Sequence, residues 1–293
     1  HSTGRYRRQE LTIEELEFVV LLSNEKIKPA FQTAQPPELL EEKTDSLLYQ
    51  LKNGLKLRLY TDGDTMAESL FKTTASPEFL EAFEKDFPAI DYKKAGSDEA
   101  AIFSQAGIPV IPSCLRETGD IIRTARQQGI PKLIQASDIR SLIHSHSNWS
   151  DGSNTLEEMA AECIKRGWEY MVISDHSQTA FYANGLKEDR IREQHRQIDQ
   201  LNSQLAPFRI FKSIESDILN DGSLDYPEEV LKTFDLVIAS VHSNLGMNEE
   251  KANARLIKAI ENPYTRILGH MTGRLLLSRN GYPVDHRLII DAC

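Results

Sequence analysis

From residue 139 onward, short apolar runs alternate with amphipathic stretches, and the alternation is regular enough to predict strands and helices in turn. Strands are expected at "LIHSH" (142–146), "EYMVISDHS" (169–177), "FRIFKSIESDI" (208–218), "DLVIASVHS" (235–243) and "TRILGH" (265–270). Helical patterns follow them. "TLEEMAAECIKRG" (155–167) is capped by Asn154 or Thr155, a long polar helix covers about 187–205, and "YPEEVLKTF", "EEKANARLIKAIE" and a last helix from about Val284 complete the series. Strand–helix alternation of this kind implies parallel strands joined by helical crossovers.

The first half has a different rhythm. "LEFVVLL" (16–22) is a candidate buried strand, and "LLYQLKNGLKLRLYT" (47–61) reads as two alternating strands joined through Asn53-Gly54. Residues 65–87 have a helical pattern interrupted at "TTASPEF". Between 97 and 138, Pro109, Pro112 and Pro131 surround one short helical segment (119–128), a pattern expected of a packed linker. The expected organisation is therefore a first domain over 1–96, a linker over 97–138 and a second domain over 139–293.

Charge and cysteine usage narrow the class. With 44 acidic against 34 basic residues the net charge is -10, a poor footprint for tight, unaided binding to a phosphate backbone. Bound divalent cations can offset carboxylates locally, so nucleic acid remains open as a substrate. Cys114, Cys163 and Cys293 are too few and too widely spaced for a disulfide framework or a zinc ribbon, which points to a reducing compartment. No apolar run reaches the ~20 residues of a membrane helix. A soluble, cytoplasmic protein with no membrane partner is expected.

The chemistry lies at the strand ends. The five predicted strands finish in His144 and His146, in Asp175-His176, in Glu215 and Asp217, in His242, and in His270. Residues i and i+2 of a strand share a face, so His144 and His146 are expected to address one ion. In parallel α/β folds the carboxyl ends of the strands gather on one side, where active sites form. A lone histidine at a strand end is more often a hydrogen-bonded surface residue. Five of the eight histidines at successive strand ends, interleaved with carboxylates, form a pattern that chance seldom produces. His195 and His286, within helical patterns, and the terminal His1 are read as non-ligands.

A mixed imidazole and carboxylate set without thiolate suits Zn²⁺, Mn²⁺ or Fe²⁺. Seven candidate ligands, counting Asp151, exceed one tetrahedral ion, so two or three divalent metals are expected. Clustered divalent ions lower the pKa of a bound water and neutralise phosphoryl oxygens. Phosphoester hydrolysis by a metal-bound water, with no separate catalytic side chain, is the inferred chemistry.

"HSHSNWSDG", "ISDHSQTAFYANGL", "ESDILNDGSLDYPEEVL", "VIASVHS" and "ILGHMTGRLLLSRNGYPVD" resemble the polymerase-and-histidinol-phosphatase (PHP) domain, and more narrowly that of bacterial family X DNA polymerases. The resemblance runs over about 138–293. It implies an α/β fold, a distorted (β/α)7 barrel with a trinuclear metal site, and phosphoesterase action on DNA, including 3′–5′ exonuclease and repair-type end trimming. The family's ligands fall on His144, His146, Asp151, His176, Glu215, His242 and His270. Arg274, near His270, is a candidate phosphate contact, with a solvated helix charge as the plain alternative. Five βα units cannot close a seven-stranded barrel, so a longer parent chain supplying the last metal ligands is expected.

The first half resembles, less specifically, a small α+β polymerase palm. "GRYRRQELTIEELEFVV" stands where the palm has Gly-Ser, Arg-Arg and an Asp-x-Asp pair, and "NGLKLRLYT" where a third aspartate is supplied. Here the pair is Glu15 and Glu17, and the third position is Arg58. Nucleotidyl transfer needs two Mg²⁺ held by compact carboxylates, and an arginine in a ligand position repels them. A degenerate polymerase site is implied. The leading expectation is thus a metal-dependent nuclease acting on DNA ends or single strands. Its alternatives are a small-molecule phosphomonoesterase of the histidinol-phosphatase type and a non-catalytic DNA-end scaffold.

Overall fold

The computed structural model describes residues 1–32, 36–61 and 65–293, which divide into two compact units, His1–Leu133 and Ile134–Cys293. The first unit contains a four-stranded mixed sheet of β1 (Glu15–Val19), β2 (Glu38–Glu42), β3 (Ser46–Gln50) and β4 (Lys56–Tyr60), ordered β1-β4-β3-β2. β1 runs parallel to β4, and the other two pairs are antiparallel.

The β3–β4 hairpin forms where the alternating pattern places it, but its turn is longer than a two-residue Asn-Gly connection. Leu51 and Leu55 close the loop, with Leu51 N–H donating to Leu55 O at 2.8 Å. Only Gly54 takes positive φ, at +84°, while the Asn53 side chain accepts the Leu55 N–H at 3.1 Å. Asparagine here bonds its own backbone two residues on, which stabilises the turn without the left-handed pair of a tighter loop.

Helices Met66–Thr74 and Pro77–Asp86 flank the interruption read at "TTASPEF". Pro77 has no N–H to continue a helix and sits instead at the first position of a new one, where Ser76 Oγ accepts the Phe79 N–H at 3.0 Å. Phe71, Phe79, Phe83 and Phe103 are fully buried together, with Phe71 and Phe83 centroids 4.8 Å apart.

Residues 97–133 belong to this core rather than to a linker. Helix Ala100–Gln105, which the proline-rich pattern concealed, contributes Ile102 and Phe103, and helix Asp120–Gln127 contributes Ile122 and Ala125. Arg116 is buried among them; its guanidinium pairs with Glu99 at 2.6 Å and lies 4.9 Å from the Phe103 ring centre. A charge so buried persists only when it is paired.

The second unit is a five-stranded parallel sheet: β5 (Ser141–Ser145), β6 (Tyr170–Ile173), β7 (Arg209–Asp217), β8 (Leu236–Ser240) and β9 (Thr265–Leu268), in sequential order. Helices Leu156–Lys165, Glu188–Gln204, Glu228–Leu231, Glu249–Ile260 and His286–Ala292 follow the strands in turn. Thr155 is the cap of the first, in a reciprocal capping box with Glu158. Met171, Ile173 and Ile210 pack against Leu156, Ala160 and Ile198, while Ile214, Val237 and Ala239 pack against Ala252 and Leu256.

A flat sheet would hold its outermost strands about 19 Å apart, at ~4.8 Å per neighbour. Yet the His144 and His270 rings, at the ends of β5 and β9, lie 6.3 Å apart. The sheet therefore curls toward a barrel and remains open between β5 and β9 among the described residues. No described helix is long and apolar enough to cross a membrane.

His195 stands apart from the other strand-end imidazoles, on helix Glu188–Gln204 with its ring edge-on to Phe234 at 5.0 Å. Its Nε2 is buried without a partner, and burial, reinforced by Lys212, pushes its pKa down to about 4 from 6.5. As the pH falls below 6.5 the unfolded chain binds this proton before the folded one does, so stability is lost until about pH 4. The denaturation midpoint of the wild type should fall relative to that of His195→Leu across this window. Parallel curves for the two proteins would refute the assignment.

Candidate metal centre

Glu215 is the hub of the site. It lies near the end of β7, is 1% exposed, and has imidazoles from four other strand ends around it. His144 Nε2 and His270 Nε2 are each 3.0 Å from its Oε1, and His242 Nε2 is 3.3 Å from the same atom. On the other oxygen, His176 Nδ1 is at 3.1 Å and His146 Nε2 at 3.6 Å. Asp151 joins from the rim, half-exposed, with Oδ2 3.8 Å from His176 Nε2. The structure thus brings all seven residues expected from the strand-end pattern into one cluster.

The reason His144 and His146 converge differs from simple strand periodicity. β5 carries a register shift between Leu142 and Ser145, His144 adopts φ +58°, and His146 lies beyond the strand. A bulge re-aims side chains, and a left-handed non-glycine residue stores strain that its surroundings must offset. The chain then folds back sharply: Gly152 N–H donates to Ser147 O at 2.9 Å, and a Cβ on Gly152 would collide with the His146 carbonyl.

Two aspartates absent from the expected ligand set hold this geometry. Asp175, fully buried at the end of β6, accepts the Ser147 N–H and Oγ–H at 2.7 Å, Ser150 Oγ at 2.6 Å and Gln194 Nε2 at 2.6 Å. It therefore fixes the loop that carries His146 and Asp151. Asp217, two residues after Glu215 on the same strand face, bonds His242 Nδ1 and accepts Thr179 Oγ1 at 2.6 Å. The carboxylate on one ring nitrogen turns the other toward Glu215. The Glu-x-Asp spacing on one strand was the sequence signal for Asp217; the burial of Asp175 had none.

Electrostatics follow from this packing. Burial alone would raise the Glu215 pKa, but hydrogen bonds from His144, His242 and His270 outweigh it and hold the carboxyl far below the usual range. His242 experiences the opposite balance. Burial opposes its charge, yet Asp217 and Glu215 push its pKa up to about 9. His176 is lowered by burial and by neighbouring His146.

The donor set fits divalent cations. Three triads have ligand atoms within 4.8 Å of one another: His144, His146 and Glu215; His146, Asp151 and His176; and His176, Glu215 and His242. Glu215, His146 and His176 each serve two of the triads. The Nδ1 atoms of His146 and His176 are buried without hydrogen bonds, and the second stays unbonded although it lies 3.1 Å from Glu215. An orphaned imidazole nitrogen facing a buried carboxylate, as at His176, is what a cation would satisfy.

Arg274 is exposed on the turn after β9 and makes no hydrogen bond or ion pair among the described residues. It is not on a helix, which corrects the plain alternative considered for it. His286 is exposed at a helix start, away from the cluster.

In the first unit, Glu15 and Arg58 meet on neighbouring strands β1 and β4. Arg58 Nε and Nη2 reach the two oxygens of Glu15 at 2.7 and 3.3 Å, and Nη1 reaches Glu41 at 3.0 Å. The Glu15 bonds raise the Arg58 pKa further. Glu17 instead accepts the Tyr60 hydroxyl at 2.9 Å and the Arg5 N–H at 3.2 Å, packed so closely over Gly4 that a Cβ there would displace its carboxylate.

No protein-family model matches the chain. It is 41% identical over 198 residues to the Bacillus subtilis protein named DNA polymerase/3′-5′ exonuclease PolX, an alignment covering 68% of this chain and 34% of that one. That alignment is longer than the whole second unit, so it extends into the first. A probable phosphatase of Caldanaerobacter subterraneus is 28% identical over 160 residues, covering 51% of this chain and 56% of its own. A second, from Caldicellulosiruptor bescii, is 33% identical over 128 residues, covering 40% and 48%. The chain spans about a third of the PolX length and about half that of the phosphatases. A Lactococcus lactis histidinol phosphate phosphatase structure aligns with a TM-score of 0.34 at 19% identity over 45% of this chain and 57% of that one, too slight a likeness to argue from. Two residues in five are shared with PolX over a stretch that takes in part of each unit, and the strand-end histidines and carboxylates are clustered, which together with the phosphatase relatives identifies the second unit as a domain of the PHP type.

Proposed function

We propose that the second unit is a metal-dependent phosphoesterase that trims DNA ends in the 3′–5′ direction, and that the first unit is a palm-type module without nucleotidyl transfer. The observation that carries the first part is the convergence of five imidazoles from four other strand ends on Glu215, with Asp151 beside His176 at the rim. The relation to PolX supports DNA as the substrate, at an end or in a single strand.

His144, His146, Asp151, His176, Glu215, His242 and His270 would hold two or three divalent ions, with Glu215 shared between them. Such ions supply acidity to a water molecule and neutralise charge on phosphoryl oxygens. The chain's own contribution is placement. Asp175 locks the loop bearing His146 and Asp151, and Asp217 fixes the His242 ring. Arg274, exposed and uncommitted, is available to pair with a phosphate outside the metal cluster.

In the first unit, Arg58 occupies Glu15, one of the two carboxylates at the palm positions, while Glu17 is taken up by the Tyr60 hydroxyl and the Arg5 N–H. The guanidinium is permanently charged and held by three bonds to two glutamates, so a cation gains little by competing with it. This arrangement supports loss of polymerase chemistry.

A second reading, hydrolysis of a small phosphomonoester, draws on the probable phosphatases among the relatives and on the net charge of -10. Comparing 3′-end release from a single-stranded oligonucleotide with turnover of histidinol phosphate separates the two. Preference for the monoester would displace the nuclease reading.

Removing an outer partner of a metal ligand commonly costs 10–100-fold, so loss of a direct shared ligand should cost more. Glu215→Gln is expected to lose at least ~100-fold in oligonucleotide hydrolysis and to bind fewer metal equivalents by elemental analysis. Undiminished activity in that variant would contradict the metal assignment. On a primed template with dNTPs and Mg²⁺ or Mn²⁺, the wild-type chain should add no nucleotide. Primer extension as fast as its own 3′-end hydrolysis would show that the first unit retains its chemistry.

A further inference from the structure

The loop between His176 and helix Glu188–Gln204 displays two aromatic side chains to solvent beside the metal cluster. Phe181 is 86% exposed and Tyr182 64%, although both are large and apolar. Among the described residues, only two other large hydrophobic side chains are as exposed as Phe181, Ile134 and Leu277. The Tyr182 ring centre lies 6.4 Å from that of His176, and Phe181 stands edge-on to Tyr182 at 6.0 Å.

This loop is built to hold its shape. The Ser177–Leu186 bridge closes its base, and the Tyr226 hydroxyl joins both sides, accepting the Gln178 N–H at 3.0 Å and donating to Leu186 O. Asp225 accepts Thr179 N–H at 3.1 Å. At the far end, Asn184 takes a left-handed conformation, its carbonyl accepts from Arg190 at 2.8 Å, and a Cβ on Gly185 would collide with the Ser177 carbonyl. Exposed rings on a pinned loop gain nothing for the fold, and they lose little entropy when they bind something flat.

We propose that Tyr182, flanked by Phe181, is a stacking platform for the unpaired nucleobase of the nucleotide whose phosphate lies at the metal cluster. This inference rests on the phosphoesterase reading and adds to it the feature that would favour a nucleotide end over a small phosphate ester. Three observations select a base as the occupant. The rings adjoin the cluster, so whatever lies on them is continuous with a phosphate held there. They are aromatic rather than aliphatic, and every base has a π-face that stacks on such rings. The chain carries a net charge of -10, so contact with a nucleic acid strand cannot lean on a strongly basic surface. A single frayed base on a ring needs no such surface.

The test uses the full 293-residue chain loaded with Mn²⁺. Oligothymidylate with an ordinary 3′ terminus is compared with the same strand ending in an abasic tetrahydrofuran residue, in wild type, Tyr182→Ala and Phe181→Ala/Tyr182→Ala. Stacking one base on an aromatic ring corresponds to a factor of about 5–150. The wild type should therefore favour the base-bearing end by roughly tenfold or more in kcat/KM, and the double variant should bring the two ends to near parity. A double variant that keeps the wild-type preference overturns the platform. A second arm measures the anisotropy of labelled single-stranded oligothymidylate at pH 7 with Ca²⁺ in place of Mn²⁺. There the double variant should bind at least fivefold more weakly. Equal binding, or no binding by either protein, overturns the platform even if hydrolysis is seen. If both proteins release no nucleotide but differ in binding as expected, the nuclease reading fails and the platform stands.

Discussion

Taking a carboxylate out of water costs several kcal/mol unless something replaces its hydration, and the second unit is arranged around one such group. Among the described residues Glu215 has no lysine or arginine partner; its compensation comes from imidazoles. This choice has consequences across the fold. Imidazoles are short, so their Cα atoms must come close, and the four strands on either side of β7 supply them only if the sheet curls. The curl lets His144 and His270, on opposite edges, reach the same oxygen. The helices between the strands then pack the outside of that curve, and the polar ends of the strands line its mouth. Sheet curvature, strand order and site are therefore one constraint expressed at three scales.

Much of this was legible from residue types alone, because a parallel sheet converts sequence spacing into spatial convergence. Strands ending in His144, His176, Glu215, His242 and His270 set these side chains along one edge if they are parallel neighbours, and the curl of the sheet, which residue types do not show, brings the outermost ones together. What the pattern could not show was how His144 and His146 are both delivered. Their H-x-H spacing suggested a shared strand face, whereas the chain uses a bulge and a left-handed His144. Such strain has no local sequence signature, since it depends on what surrounds the residue. The same holds for Asp175. Its neighbour His176 drew attention as a ligand type, but the four bonds that make Asp175 the anchor of the loop come from Ser147, Ser150 and Gln194, up to 28 positions away.

The first half was less legible for a related reason. Its helical pattern over 65–87, interrupted at "TTASPEF", was legible because the break at Pro77 is a local one. Residues 97–133 were expected to be a linker because prolines dominate the local pattern, yet Ile102, Phe103 and Ile122 fill an aromatic core assembled from residues 67–83. Proline frequency measures how often the chain turns, not how much it buries. Likewise the Asn53-Gly54 pair announced a turn correctly, and the length of that turn was decided by the pairing of Leu51 with Leu55.

The two units also show opposite answers to the problem of crowded acids. In the first, Glu15 and Glu41 share the guanidinium of Arg58, which cannot lose its proton and whose planar fork matches the carboxylate. That neutralisation is permanent, and it closes the position to any other cation. In the second, the charge on Glu215 is met by imidazoles, whose ring nitrogens can either carry a proton or present a lone pair. His242 illustrates the exchange: Asp217 and Glu215 push its pKa up against the opposing effect of burial, so a proton can meet the need for positive charge that a metal would otherwise meet. An arginine at one of the five histidine positions would bring Glu215 a permanent positive charge and no lone pair. It would also remove the site's capacity to exchange a proton for a metal, and this difference in the reversibility of compensation, rather than the number of carboxylates, separates a binding centre from a salt bridge.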